Sequence, residues 1–426
     1  MNACREYNDL SRRQFLAGSG KAALALGAMT SMLPRVSMAQ SGGSDRDIIL
    51  SVYLRGGCDG LSLCVPYAED SYYAFRPSIA VPRPDSTSTG KALDLDGFFG
   101  VSPGMAPLLP AYAAGHLLFV HATGLSDGGR SHFDNQKWME TGVVDQIPLG
   151  TGWLGRHLAT TSPLRAGNTM RGVALGHAIP VTLAGGPGTA AVENVADYGV
   201  DGTAGQQKQR TEFLRSTYAN DSNQQLGNSA KAILDTIALL KQIDFTSYVP
   251  SGAAAYPQSD LGYSFKSAAA LIRSDVGVEA MTVDVGGFDT HSGEGTNGGW
   301  LFFLMSDLAA SLAAFHQDLV AAGRFNRVVV VVMSEFGRTV RENASQGTDH
   351  GTGGAMLVMG GGILGGRVLA QWPGLHSADL FEAQDLAITI DYRDILAEIV
   401  SKRLSNAAKL AEVFPGYTPT FRGITA

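Results

Sequence analysis

Val328-Val-Val-Val-Val-Met333-Ser334-Glu335-Phe336-Gly337-Arg338 decides the fold. Six apolar residues follow one another without polar alternation, and five of them are β-branched valines. That pattern marks a strand buried on both faces, as in a parallel sheet covered by helices. The run stops at Glu335 and Arg338, charges that apolar surroundings tolerate only when paired or placed in a site. Two further stretches share this grammar. The apolar run 281–285 leads into Gly286-Gly-Phe-Asp289-Thr-His291, and Gly347-Thr-Asp349-His350-Gly shortly precedes the apolar run 355–359. Carboxylates and imidazoles at strand ends offer a divalent metal hard oxygens, borderline nitrogens and rigid supports. In open α/β sheets, ligands lie just past the carboxyl ends of the strands. The pattern predicts a metal-dependent α/β hydrolase.

Outward from there, residues 48–54 predict a first strand that runs into Arg55-Gly-Gly-Cys58-Asp59-Gly. Residues 80–105, rich in Pro, Gly and Asp, predict loop. A second strand is expected at 116–120, followed by a turn-rich stretch ending in Arg130-Ser131-His132-Phe133-Asp134. Short strands are expected at 173–175 and 180–183. The polar, Gln- and Ala-rich segment of about 202–274 predicts a helical insertion, with helical spacing clearest at 230–243. Residues 301–322 repeat apolar positions every three to four places, as an amphipathic helix does. Ile388-Thr-Ile-Asp391 leads into a C-terminal helix. Strands alternating with helices predict a doubly wound, mostly parallel sheet.

Ser11-Arg12-Arg13-Gln14-Phe15-Leu16 reads as a twin-arginine export signal. The apolar stretch after it, residues 22–33, falls short of the roughly 20 residues a membrane span needs. Ser37-Met38-Ala39 is a small-residue cleavage site, so residues 1–39 are read as a signal peptide. The address is periplasmic or secreted, the export machinery is the first partner, and no stable membrane anchor is expected. Residues 40–426 exceed the roughly 250–300 residues at which single cores stop growing; one α/β domain carrying the helical insertion is expected. The chain's net charge is −7, and removal of the basic signal makes it more acidic still. Nonspecific nucleic-acid binding is thereby disfavoured. Cys58 and Cys64 lie close enough in sequence for a disulfide to be considered in an oxidising compartment.

Several stretches together resemble a bacterial exported family known as domain of unknown function 1501. They are Leu54-Arg-Gly-Gly-Cys-Asp-Gly-Leu61, Arg130-Ser-His-Phe133, Thr151-Gly-Trp-Leu-Gly-Arg156, Gly286-Gly-Phe-Asp-Thr-His291, Ser334-Glu-Phe-Gly-Arg-Thr339 and Gly347-Thr-Asp-His-Gly351. The resemblance implies a sulfatase-like fold of the alkaline phosphatase superfamily. It also implies roles, residue by residue. Asp59 after the first strand matches a metal ligand, and Ser131 at a helix start matches the nucleophile. Asp289 and His291 match ligands of one metal, and His350 completes that site. For the other metal, Glu335 stands where the superfamily has an Asp-His pair, or Asp349-His350 is itself that pair; both readings stay open. His132 is read as ligand or general acid, and Arg338 as a fork gripping an anionic oxygen.

The resulting expectation is a hydrolase of phosphate or sulfate esters on small molecules or glycans. Its cofactor is one or two divalent ions, with zinc, calcium, manganese and magnesium all considered. The competing expectation is a non-catalytic periplasmic protein with a degenerate metal site that binds an envelope partner or glycan. Cys64-Val-Pro-Tyr-Ala lacks the arginine needed for formylglycine, which disfavours classical sulfatase activity. No Gly-x-Ser-x-Gly elbow occurs, and Gly56-Gly-Cys-Asp-Gly60 is not a dinucleotide fingerprint.

Overall fold

The computed structural model describes residues 46–426 apart from 127, 145–148, 197, 201, 220–221, 242, 244 and 246. The twin-arginine stretch and residues 1–39 lie outside the described residues.

The valine run forms a strand whose two faces enter different cores. Val328, Val330 and Val332 pack into one hydrophobic cluster, while Val329, Val331 and Met333 pack into another. The first strand divides its residues in the same way: Leu50, Val52 and Leu54 face one cluster, Ile49 and Tyr53 the other. A strand sandwiched between two apolar layers has no solvated face, so it needs no polar alternation.

Eleven strands are described: β1 (Ile48–Leu54), β2 (Leu93–Asp94), β3 (Gly100–Val101), β4 (Leu117–Gly124), β5 (Gly172–Ala174), β6 (Thr189–Ala191), β7 (Ala280–Val285), β8 (Val328–Ser334), β9 (Gly354–Gly360), β10 (Arg367–Leu369) and β11 (Ile390–Asp391). Strands β2 and β3 pair only with each other. The other nine build one sheet in the order β10-β4-β9-β8-β1-β7-β5-β6, with β11 beside β4. All its pairings are parallel except those of β9, which runs antiparallel to β4 and β8. The protein is therefore α/β with a mixed, mostly parallel sheet. The reversed direction of β9 matters for the site, because it brings the start of that strand to the edge where β1, β7 and β8 end.

Six helices of ten residues or more are described: α1 (His132–Thr141), α2 (Ala204–Ala219), α3 (Gln224–Leu240), α4 (Asp260–Arg273), α5 (Trp300–Ala321) and α6 (Tyr392–Lys402). Leu261 and Phe265 of α4 and Leu301, Met305 and Leu308 of α5 fill the core on one side of the sheet. Ile395, Leu396 and Ile399 of α6, with Met139 of α1, fill the other. Residues 202–234, which hold α2 and the start of α3, form a compact unit of their own; the sheet belongs to the unit of residues 46–200 and 235–426.

The segment expected as a strand at 180–183 is instead a short 3-10 turn, Val181–Leu183. Glu140 takes its polar groups: Oε2 accepts from the Thr182 amide at 2.9 Å and from the Thr182 hydroxyl at 3.1 Å. Cys58 and Cys64 are both free and buried.

The turn after β1 packs tightly behind the site. Gly56 has φ +119°, and a Cβ there would lie 2.5 Å from the Asp289 amide nitrogen. Only glycine meets both conditions. We expect Gly56→Ala to lower stability by about 1–3 kcal/mol, the usual cost of a strained backbone conformation. Urea unfolding reads this directly, and an unchanged midpoint contradicts the tight approach.

Candidate metal centre

Four loops meet at the carboxyl edge of the sheet. Residues 286–291 follow β7, Glu335 follows β8, and His350 precedes β9. His132 opens α1, for which Ser131 is the N-cap, its side chain accepting from the Asp134 amide. A cap of this kind satisfies one of the orphan amides of the first turn.

His132, Asp289 and His350 place one ligand atom each within 4.8 Å of one another. This is the one such group among the described residues. His350 Nε2 lies 3.1 Å from Asp289 Oδ1, and His132 Nε2 lies 3.7 Å from Asp289 Oδ2. His291 joins them: its Nε2 is 3.0 Å from Asp289 Oδ1 and 3.0 Å from His350 Nε2. Donor atoms around one tetrahedral zinc, each about 2.0–2.1 Å from the ion, sit roughly 3.3 Å apart. The observed spacings bracket that value.

The other nitrogen of each ring explains the orientation. His132 Nδ1 faces Glu335 Oε1 at 3.0 Å, His291 Nδ1 faces Asp349 Oδ1 at 2.8 Å, and His350 Nδ1 faces the Arg130 carbonyl at 3.0 Å. Each acceptor demands a proton on Nδ1, which leaves a lone pair on Nε2 when the ring is neutral. With all three rings neutral, as metal binding requires, three lone pairs and a carboxylate converge with no proton between them. Such a cluster repels itself until a cation enters, and outer acceptors of this kind are how proteins orient metal-binding histidines. The donor set therefore fits a divalent ion.

Electrostatics agree. Burial alone raises the Asp289 pKa, but hydrogen bonds from His132, His291 and His350 and the charge of Arg338 bring it far below the usual carboxylate range. Burial opposes the charged form of His132, yet Asp289 and Glu335 raise its pKa to about 9. The hydrogen bond to Asp289 likewise raises His291, against burial and with help from Asp349. The pocket attracts positive charge, and a proton on imidazole is the competitor a metal must displace.

Several expected roles change. Asp59 lies outside the His132–Asp289–His350 group: both its oxygens face Arg76, at 2.5 and 2.9 Å, in a fully buried pair. Arg338, expected to grip an anionic oxygen, faces protein groups. Its guanidinium is fully buried and donates to the carbonyls of Gly56, Gly57, Phe288 and Thr348 and to Asp289 Oδ1. Glu335 stands behind His132, its Oε1 also accepting from the Gly56 amide and from Gln136. Asp349 likewise stands behind His291, where Asn343 Nδ2 holds it at 3.1 Å. Of the residues in the two alternatives for the Asp-His pair, His350 lies in the cluster, while Asp349 and Glu335 face the outer nitrogens of His291 and His132. Sequence reasoning missed Gln136, Asn343 and the Arg130 carbonyl, because nothing local marks a distant hydrogen-bond partner.

Fold and cluster define an α/β protein with a metal-capable centre at the carboxyl edge of its sheet. The chain belongs to the family described as "Protein of unknown function (DUF1501)", whose model matches residues 128–407. All four converging residues fall within that match. No curated protein matches the chain. Among solved structures, it overlaps with a phosphonate monoester hydrolase of Agrobacterium radiobacter at 10% identity and TM-score 0.32, covering 88% of this chain and 79% of that one. Alkaline phosphatase from the Antarctic bacterium TAB5 overlaps at 13% identity and TM-score 0.29, covering 74% and 92%. Both overlaps are slight.

Two substitutions separate ligand orientation from structural pairing. Glu335→Gln should weaken metal binding roughly 10- to 100-fold, as loss of an orienting partner does. Asp59→Asn should leave metal content unchanged and cost about 3–5 kcal/mol, as a broken buried ion pair does. Metal titration and urea unfolding of both variants check this; metal loss in Asp59→Asn restores Asp59 as a ligand.

Proposed function

We propose that the chain is an exported, metal-dependent hydrolase of phosphate or sulfate esters. One observation carries the reading: His132, Asp289 and His350 converge, with His291 beside the last two, while every outward imidazole nitrogen is held by an acceptor. His132, His291, His350 and Asp289 would hold the ion. Imidazole-rich donor sets suit zinc better than manganese, calcium or magnesium, which prefer oxygen. When bound, a divalent ion supplies positive charge that polarises an ester oxygen and stabilises the charge that grows there.

The chain's own groups do the rest. Ser131 adjoins His132 at the N-terminus of α1, where free amides and the helix dipole favour an anion. We assign its hydroxyl as the nucleophile. Arg338 fixes Asp289 rather than touching substrate. Asp289 and His291 are about 30% exposed on their side chains, so a small-molecule or glycan ester has access to the cluster. Export rests on the residue pattern around Arg12 and Arg13; no described helix is long and apolar enough to cross a membrane. The acidic charge argues against a nucleic-acid substrate.

A second reading, a non-catalytic envelope protein that holds the ion and binds a partner or glycan, draws on one observation. The Ser131 hydroxyl makes a 3.5 Å capping contact, and no described base reaches it. Unactivated serine is a weak nucleophile.

Ser131→Ala tests the assignment. With zinc- or manganese-loaded protein and 4-nitrophenyl phosphate or sulfate, cleavage should vanish while metal content stays and stability falls by only about 1 kcal/mol, the value of a cap. Persisting cleavage removes Ser131 from the mechanism. A metal-loaded wild type that cleaves neither ester favours the second reading.

A further inference from the structure

A cavity of 290 Å³ opens beside the cluster. Phe75, Thr339, Arg341, Glu342, Asn343 and Asp349 line it, together with Leu380, Ala383 and Gln384. Asp349 connects it to the centre, since its Oδ1 holds His291 Nδ1. One imidazole ring therefore separates the cavity wall from the converging Nε2 atoms.

The polar groups of this wall are almost all occupied. Glu342 accepts from the Ser78 amide and hydroxyl and from the Ile79 amide. Asn343 Nδ2 donates to the His291 carbonyl and to Asp349, and its Oδ1 accepts from the Ser345 and Gly347 amides. Thr339 donates to the Arg341 carbonyl and accepts from the Asp349 amide. Arg341 differs. Its guanidinium lies 4.4 Å from the centroid of the Phe75 ring, and among the described residues its side chain makes no hydrogen bond or ion pair. Stacking on an aromatic face holds a guanidinium in place and leaves its in-plane donors free. A planar fork with unused donors matches the geometry of an oxyanion. Glu342 and Asp349 put two carboxylates on the same wall, so an anion there must be gripped by the directed donors of Arg341 and not by the net charge of the cavity.

We propose that this cavity is a subsite for a non-reacting oxyanion of the substrate and that Arg341 determines its specificity. The inference rests on the metal-hydrolase reading and narrows it. Substrates would be esters that carry a second phosphate, sulfate or carboxylate about one ring's width beyond the cleaved group. Arg341, not Arg338, supplies the anion-gripping fork.

Inorganic phosphate, titrated calorimetrically into full-length metal-loaded protein, is the probe. Arg341 is exposed, so its replacement leaves the fold intact. Arg341→Gln should weaken phosphate binding about tenfold or more, the worth of charged hydrogen bonds. Arg341→Lys should restore only part of it, because a point charge cannot make the fork. Metal content is read in the same samples. Metal-loaded protein whose phosphate affinity ignores Arg341, or that binds no phosphate, overturns the subsite and leaves the metal reading standing. Protein that retains no metal yet binds phosphate through Arg341 sinks the metal reading and leaves the anion site.

Discussion

The contact between Arg338 and Asp289 is what the rest of the centre depends on. A fully buried guanidinium is costly unless its donors are met. Here they are met by carbonyls from three separate loops and by one carboxylate. The turn after β1, the turn after β7 and the segment before β9 are thereby fixed to one planar group. Asp289 is held where the three imidazoles must face it. Its oxygens are the common neighbour of His132, His291 and His350, so a displacement of this one side chain disperses the cluster.

The sheet makes such a meeting feasible. Central strands buried on both faces are rigid, and their ends deliver loops to a fixed place. The antiparallel β9 adds to this. Because it runs against β8, the chain arriving at its start delivers His350 to the edge where the parallel strands β7 and β8 finish. Acceptors then tune each ring from behind: a buried carboxylate for His132, an exposed one for His291 and a backbone carbonyl for His350. This gradation leaves His132 the most enclosed of the three and His291 the most open.

Much of this is legible in sequence, and the limits are physical. The six apolar residues from Val328 to Met333, five of them β-branched, read as a doubly buried strand, and β1, β4, β7 and β9 show weaker forms of the same signal. Residues 180–183 mislead because Glu140 takes the Thr182 amide and the turn closes on itself through the Leu183 and Ala184 amides. Residue types near the centre are legible, since carboxylates and imidazoles after strands have few other uses. Their division into inner and outer groups is not. Whether Glu335 faces an ion or His132, and whether Asp59 faces an ion or Arg76, depends on partners tens or hundreds of residues away. Arg338 shows the same limit: an arginine after a buried strand reads equally as a substrate fork or as a clamp, and burial decides for the clamp.

X-ray absorption at the metal edge of zinc-loaded protein tests the central claim most directly. The account predicts a first shell of nitrogen and oxygen at about 2.0–2.1 Å, with outer-shell scattering from two or three imidazole rings that weakens in step when His132 and His350 are replaced by alanine. A first shell of oxygen alone, without imidazole scattering, or protein that takes up no zinc, would contradict it.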